Sequence, residues 1–201
     1  MRQTSSRPGF SLVELMVTVA MIGILAVIAL PSVMQALQRR EVVDAGQAVL
    51  DVVEFARVQA ASRNLAYEIR TTVATDVSQP GSISVYEGPS SACMSFDTPG
   101  PLPAPLRTLT LANDFPTVKL ISVDPPATTP LCFKPDGRVF QMQSDSAPSI
   151  ITSTNDFAGG DARIQLQRFN RSFIGEGPIH QVVIPFSGLA RVVVVQPEAT
   201  E

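Results

Sequence analysis

The sequence has little of the chemistry that enzymes and metal sites use. Its 201 residues include no tryptophan, one histidine and two cysteines. A Ser-His-Asp triad would have to use His180, and the chain has neither a G-x-S-x-G nucleophile elbow nor a glycine-rich phosphate loop. Two cysteines and one distant histidine are also too few ligands for a typical zinc site. The sequence therefore predicts no catalytic residue, no metal site and no cofactor, and an enzyme is the least favoured alternative.

Lysine is scarce as well. Lys119 and Lys134 are the only lysines, and the formal net charge is −3. Loss of Arg2 and Arg7 with an N-terminal leader would lower this charge to −5 (−3 − 2). A domain with this balance has no bulk attraction for nucleic acid.

Charge is almost absent between Arg7 and Arg39, where Glu14 is the only ionised side chain. Residues 10–30 are otherwise mostly apolar and have about the length that a helix needs to cross a hydrocarbon core. A carboxylate at the centre of such a span costs about 2.5–3.5 kcal/mol, and somewhat less near the end, where Glu14 lies. Glu14 therefore either snorkels to the headgroups or meets a cation. The arginines before the span predict a cytoplasmic N-terminus.

The segment GFSLVEL, which begins at Gly9, resembles the class III signal of type IV pilins and pseudopilins. The resemblance implies that a prepilin peptidase cuts after Gly9 and that Phe10 becomes an N-methylated first residue. It also implies that Glu14 meets the methylated amine of a neighbouring subunit during filament assembly, and that Pro31 kinks the helix. An ordinary cleaved signal peptide and a plain signal anchor are less favoured, because the apolar run is long and its small residue precedes it.

A helical pattern continues beyond the span, over residues 31–64. Apolar residues recur there every three or four positions, which predicts an amphipathic helix with one packed face. With residues 10–30 this gives a helix of about 55 residues and about 80 Å. The stripe consists of Leu37, Val42, Ala45, Val49, Val52, Ala56 and Ala60.

The period changes from 3.6 to 2 at residue 65, which predicts that residues 65–201 form an all-β domain of two sheets or an open barrel. Residues 192–195 form an unbroken apolar run, typical of a strand buried on both faces. The stretches 98–105, 124–130 and 144–160 are predicted to be loops. The candidate strands are 65–73, 82–87, 92–97, 107–112, 117–123, 131–134, 138–143, 162–169, 180–186 and 190–196.

Cys93 and Cys132 both fall in predicted strands of this domain. In an exported domain a cysteine pair is typical of a disulfide, although the sequence does not show that the two are close. The closed loop of about 40 residues would contribute about 4 kcal/mol in the chain-entropy model.

A second motif lies at Phe133-Lys134-Pro135-Asp136-Gly137-Arg138. Pro135 suits the first central position of a type I turn, and Gly137 suits the position that closes the turn. The residues themselves therefore predict a hairpin. The pattern F-x-P-D-G-R also resembles the GspH/FimT branch of pseudopilins. This resemblance implies a pilin-like α+β fold, in which a long N-terminal helix packs on a C-terminal domain of two β-sheets.

Some FimT-like proteins bind DNA during uptake, which makes DNA binding an alternative function. Alternating arginines are more typical of the solvated face of a strand, and residues 196–201 are acidic, so a DNA partner is not expected. The candidate contacts are Arg163, Arg168, Arg171 and Arg191, with Phe169 and Phe173 as possible stacking groups.

The sequence as a whole predicts a structural subunit, a minor pilin or pseudopilin. Its regions would be a leader (1–9), a transmembrane helix (10–30), an amphipathic continuation (31–64) and a periplasmic or extracellular β domain (65–201). The resemblance implies as partners the prepilin peptidase, other pilins or pseudopilins, an inner-membrane assembly platform and the lipid bilayer. It also implies a single pass through the bacterial inner membrane before extraction into a filament. A type II secretion pseudopilus and a type IV pilus share all these features.

Overall fold

The computed structural model describes residues 11–76, 79–93, 103–124, 130–141, 149–150, 161–170 and 172–196. Its longest element is helix α1, Leu12–Arg63. The chain forms two compact units, Met1–Arg40 and Glu41–Glu201. The leader, Gly9 and Phe10 lie outside the described residues.

Helix α1 ends where its sequence provides a stop. Arg63 is a cation in the last turn, where it complements the negative end of the helix dipole. Asn64 then takes a left-handed conformation with φ of 56°, a geometry that asparagine adopts more readily than most residues. The helix is assigned without a break through Pro31, and the kink at this residue remains a prediction.

The second unit contains ten described strands and one short helix. The helix, α2, is Leu111–Asp114. The strands are β1 Tyr67–Thr72, β2 Ser82–Glu87, β3 Arg107–Thr110, β4 Val118–Asp124, β5 Leu131–Phe133, β6 Val139–Gln141, β7 Ser149–Ile150, β8 Asp161–Phe169, β9 Gly175–Pro185 and β10 Arg191–Val195.

These strands form two antiparallel sheets. Sheet A has the order β3-β2-β1-β5-β6-β7, and sheet B has the order β10-β9-β8-β4. The predicted α+β class, with a helix followed by two sheets, is thus confirmed. One hydrophobic core joins residues of both sheets to one face of α1. The helix residues of this core are Val42, Ala45, Val49, Val52, Val53, Ala56 and Ala60.

Two details of the predicted helix stripe were wrong. Leu37 is 58% exposed and belongs to the first unit, whereas the stripe assigned it to the packed face. Val53 is fully buried although the stripe omits it. A wide sheet surface accepts a broader helix face than one residue per turn, which explains the second difference.

Several strand predictions also needed correction. The strand predicted at 107–112 ends at Thr110, because Leu111 starts α2 and enters the core. Residues 92–93 of the strand predicted at 92–97 are not extended in a sheet, and the rest of it lies outside the described residues. Strand β7 lies within the predicted loop 144–160, and β9 begins at Gly175 rather than at 180.

The largest error concerns residues 192–195, which were predicted to be buried on both faces. These residues belong to β10, which lies at an edge of sheet B. Val193, Val194 and Val195 are 36%, 55% and 36% exposed. An apolar run is compatible with either place in a sheet, and only the strand order distinguishes them.

Candidate assembly and processing site

The first turn of α1 is organised around Ser11 and Glu14. The Ser11 hydroxyl oxygen accepts a hydrogen bond of 3.2 Å from the backbone N–H of Glu14. The Ser11 carbonyl oxygen accepts another of 3.2 Å from the N–H of Leu15. Ser11 is therefore the N-cap of the helix, and Glu14 is its first-turn acid, where the helix dipole favours a negative charge. The side chain of Glu14 is exposed.

The segment that follows suits a membrane. Leu12–Leu30 has a mean hydropathy of 2.6, and it is long and apolar enough to cross a bilayer. Its one hydroxyl group, on Thr18, has a partner inside the helix. Thr18 donates to the carbonyl oxygen of Leu15 over 2.9 Å, and Ser32, just beyond the span, donates to that of Ala29 over 2.8 Å. Such internal bonds remove the cost of carrying a polar hydroxyl into hydrocarbon. Glu14 is the only residue of this span with a titratable side chain.

The capping role of Ser11 was not among the predictions, although the sequence contains a signal for it. Ser11-Leu12-Val13-Glu14 has the form S-x-x-E before an apolar run, which is the pattern of a capping box. The cap fixes the position of the Glu14 backbone relative to the residue at the start of the helix. Geometry at Gly9 and Phe10, the predicted processing residues, lies outside the described residues.

The two cysteines form a disulfide between Cys93 and Cys132, with Cα atoms 5.9 Å apart. The bond ties the segment after β2 to β5. Both cysteines are buried in a small apolar cluster with Ala66 and Phe140. Its role is structural, because it covers the face of sheet A that does not contribute to the main core.

The hairpin that joins β5 to β6 contains the residues of the second motif, Phe133, Pro135, Asp136 and Gly137. The N–H of Gly137 donates to the carbonyl oxygen of Lys134 over 2.9 Å, and Gly137 has φ of 81°. Phe133 is fully buried in the core. The pattern therefore corresponds to a close-packed turn in which only glycine avoids backbone strain at the last position.

The polar residues of the motif stabilise the same hairpin. Asp136 accepts a hydrogen bond of 3.1 Å from the N–H of Arg138 and one of 2.6 Å from its Nε. The hydrogen bond from the Arg138 side chain holds the pKa of Asp136 below its usual range. A Cβ atom at Gly188 would overlap the carbonyl oxygen of Gly137, so this turn also packs closely on the one between β9 and β10.

Three of the four arginines predicted as candidate DNA contacts face acidic residues. Arg168 forms an ion pair with Glu176, and Arg191 lies 3.8 Å from Asp161. Arg163 stands opposite Asp124 in the pairing of β4 with β8. The rings of Phe169 and Phe173, whose centroids are 4.8 Å apart, pack on each other. Arg171 lies outside the described residues.

His180 is a buried residue of sheet B. It is 6% exposed and lies on β9 between Leu166 and Val194, and burial lowers its pKa. Its Nδ1 atom has no hydrogen-bond partner among the described residues. Within the same residues, no group of three His, Cys, Asp or Glu side chains could hold a metal ion.

Two polar contacts that the sequence did not reveal anchor α1 to the sheets. Glu41 accepts hydrogen bonds from the N–H and the hydroxyl of Thr117, over 3.1 and 2.7 Å. Arg63 and the hydroxyl of Tyr67 both bind Glu87. Burial and the hydrogen bond to Glu87 raise the pKa of Tyr67 to about 12.

Residues 4–30 match the family model of the prokaryotic N-terminal methylation motif. The N-terminal segment therefore carries the methylation motif that the sequence predicts. No curated protein sequence matches the chain significantly.

Two similar solved structures are both of the type IV minor pilin FimU of Pseudomonas aeruginosa. The crystal form in space group P21 has 16% identity and a TM-score of 0.47, and the match covers 81% of this chain and 97% of that one. The form in space group P65 has 16% identity and a TM-score of 0.44, and the match covers 79% of this chain and 98% of that one.

Proposed function

We propose that the chain is a minor pilin or pseudopilin, a structural subunit of a type IV pilus or of a type II secretion pseudopilus. The observation that carries this proposal is the N-terminal methylation motif at residues 4–30. The motif includes Glu14, the only charge in the apolar helix segment Leu12–Leu30. A capped helix with one carboxylate near its apolar start is suited to assembly through that carboxylate.

The proposed route starts at the inner membrane. The N-terminus is cytoplasmic, the apolar helix spans the bilayer and the second unit is periplasmic. A prepilin peptidase cuts between Gly9 and Phe10, and the new amine of Phe10 is methylated. The subunit is then drawn from the bilayer by the assembly platform and joins other pilins or pseudopilins.

The chemistry of Glu14 explains why the cut precedes assembly. A new α-amino group is cationic near neutral pH. A carboxylate in hydrocarbon is costly alone but is stabilised by a cation that is desolvated with it. The Ser11 cap fixes the start of the helix, and the exposed Glu14 side chain projects from its first turn. The amine of a neighbouring subunit would therefore set the axial register between two helices.

Replacement of Glu14 by alanine tests this role. We expect Glu14→Ala to be processed and anchored normally but to be lost from sheared filaments, because the amine of the neighbour loses its partner. The matched control is Asp51→Ala, which removes an exposed carboxylate of the same helix outside the span. Immunoblots of membrane and filament fractions give the readout. Normal incorporation of Glu14→Ala would contradict the pairing.

A further inference from the structure

Strand β10 is an open edge of sheet B. It pairs with β9 on one side, and no described strand pairs with its other side. Val192 and Val194 lie on the face of β10 that is directed towards α1, since Val192 packs against the main core and a Cβ atom added at Gly46 would lie 3.6 Å from it. Val193 and Val195 lie on the opposite face. The edge therefore offers unpaired backbone groups flanked by exposed apolar side chains on both faces.

The other three sheet edges among the described residues carry features that discourage pairing. Strand β4 has a register shift between Leu120 and Ser122 and contains the buried Lys119. Strand β3 has only four residues, and the described part of β7 has two. Strand β10 pairs with β9 in an unshifted register over all five of its residues. Natural proteins protect edges by short length, charge or bulges, and β10 has a charge only at its first residue.

The chemistry of this edge specifies its partner. An unpaired strand edge binds an extended backbone, and exposed valines on both faces select apolar side chains on it. Arg191 is the only charge on β10. Asp161 lies 3.8 Å from it, but the Arg191 side chain is 65% exposed at one end of the strand, so its guanidinium has further donors for a second carboxylate. We propose that β10 docks an extended apolar segment of a different filament subunit, with a carboxylate at the end that meets Arg191. This inference rests on the proposed function.

A second copy of the chain fits the edge less well. Antiparallel pairing of two β10 strands centred on Val193 would place Arg191 opposite Val195, so neither arginine would meet a carboxylate. It would also require a two-fold axis, whereas the helices of a polar filament all point the same way. Pairing of β10 with another described edge of a copy would meet the charges, bulge or short length of that edge.

The test uses the full chain in its membrane. A photo-crosslinking amino acid at position 194 should give an adduct with another filament subunit, and peptide mapping should place the link in an apolar segment that contains Asp or Glu. The same amino acid at Ile174, which is 60% exposed in the turn between β8 and β9, should not give this adduct. An adduct with a second copy, or none, would overturn the proposal.

Val194→Lys provides the functional measurement, with Ile174→Lys as the matched control of similar exposure. We expect Val194→Lys to reduce incorporation into filaments about tenfold or more. The ammonium group of the lysine would lie beside the apolar side chains of the docked segment and would lose part of its hydration. The control should incorporate normally, and protease resistance should show that both variants fold. Incorporation of Val194→Lys at the normal level would contradict the inference. Absence of the unmodified chain from filaments would instead contradict the proposed function, while the crosslink in membranes would still report on β10.

Discussion

Removal of the disulfide should lower the stability of the second unit by about 4 kcal/mol. Cys93 and Cys132 are separated by 39 positions. The chain-entropy model gives about 4 kcal/mol for a loop of this length, through the added freedom of the unfolded chain. Replacement of both cysteines by alanine keeps the cluster around Ala66 and Phe140 apolar, so the loss of the cross-link dominates.

Thermal unfolding of residues 41–201 measures this effect. This fragment contains all the core residues of the second unit, and it has 161 residues (201 − 40). For a domain of this size 1 kcal/mol corresponds to about 2–4 °C, so the double alanine variant should lose about 8–16 °C in Tm. Circular dichroism follows the transition.

A reductant supplies the internal control. It should lower the Tm of the wild-type fragment by a similar amount and should leave the double alanine variant unchanged. A Tm loss below about 4 °C in the variant would refute the reasoning, since it would mean that the loop is already constrained in the unfolded chain. The reasoning would also be refuted if the Tm of the wild-type fragment did not change although its disulfide was fully reduced.

Two further predictions concern the core and a turn. Burial lowers the pKa of His180 in the folded state. His180 should therefore not reduce the free energy of unfolding above about pH 6.5, and this free energy should fall as the pH decreases from there towards the folded-state pKa. Urea unfolding at pH 7.5 and 5 should show a smaller decrease for His180→Leu than for the wild type. Gly188→Ala should cost about 2 kcal/mol or more, because it strains a φ of 76° and overlaps Gly137. Gly177→Ala, with the same φ and open space, should cost less in the same assay, and equal losses would exclude the overlap.

Local patterns predicted the helix and most strands. Val42, Ala45 and Val49 recur at the helix period, and the side chains at those positions enter the core. In β8, alternation over residues 162–166 matches the alternating burial of this strand. The β5–β6 hairpin was predictable because its turn depends on the backbone preferences of Pro135 and Gly137 themselves.

Part of the candidate site could be predicted from the sequence, and part of it could not. Glu14 stands out in the sequence because its neighbours along the chain are apolar, and the cap at Ser11 is only three residues away. The partners of the arginines were not predictable. Arg168 meets Glu176 through a hairpin with a register shift, and Arg163 meets Asp124 across two strands far apart in the chain.

The sequence by itself determined the apolar segment, its single carboxylate and the match to the methylation motif, because these depend on residues within one continuous stretch. Only the tertiary structure decided which strands lie at edges, where Val193–Val195 are exposed, and which groups face the arginines. Strand order arises from pairings between distant segments, and an apolar strand has the same sequence signature at the centre of a sheet as at its open edge.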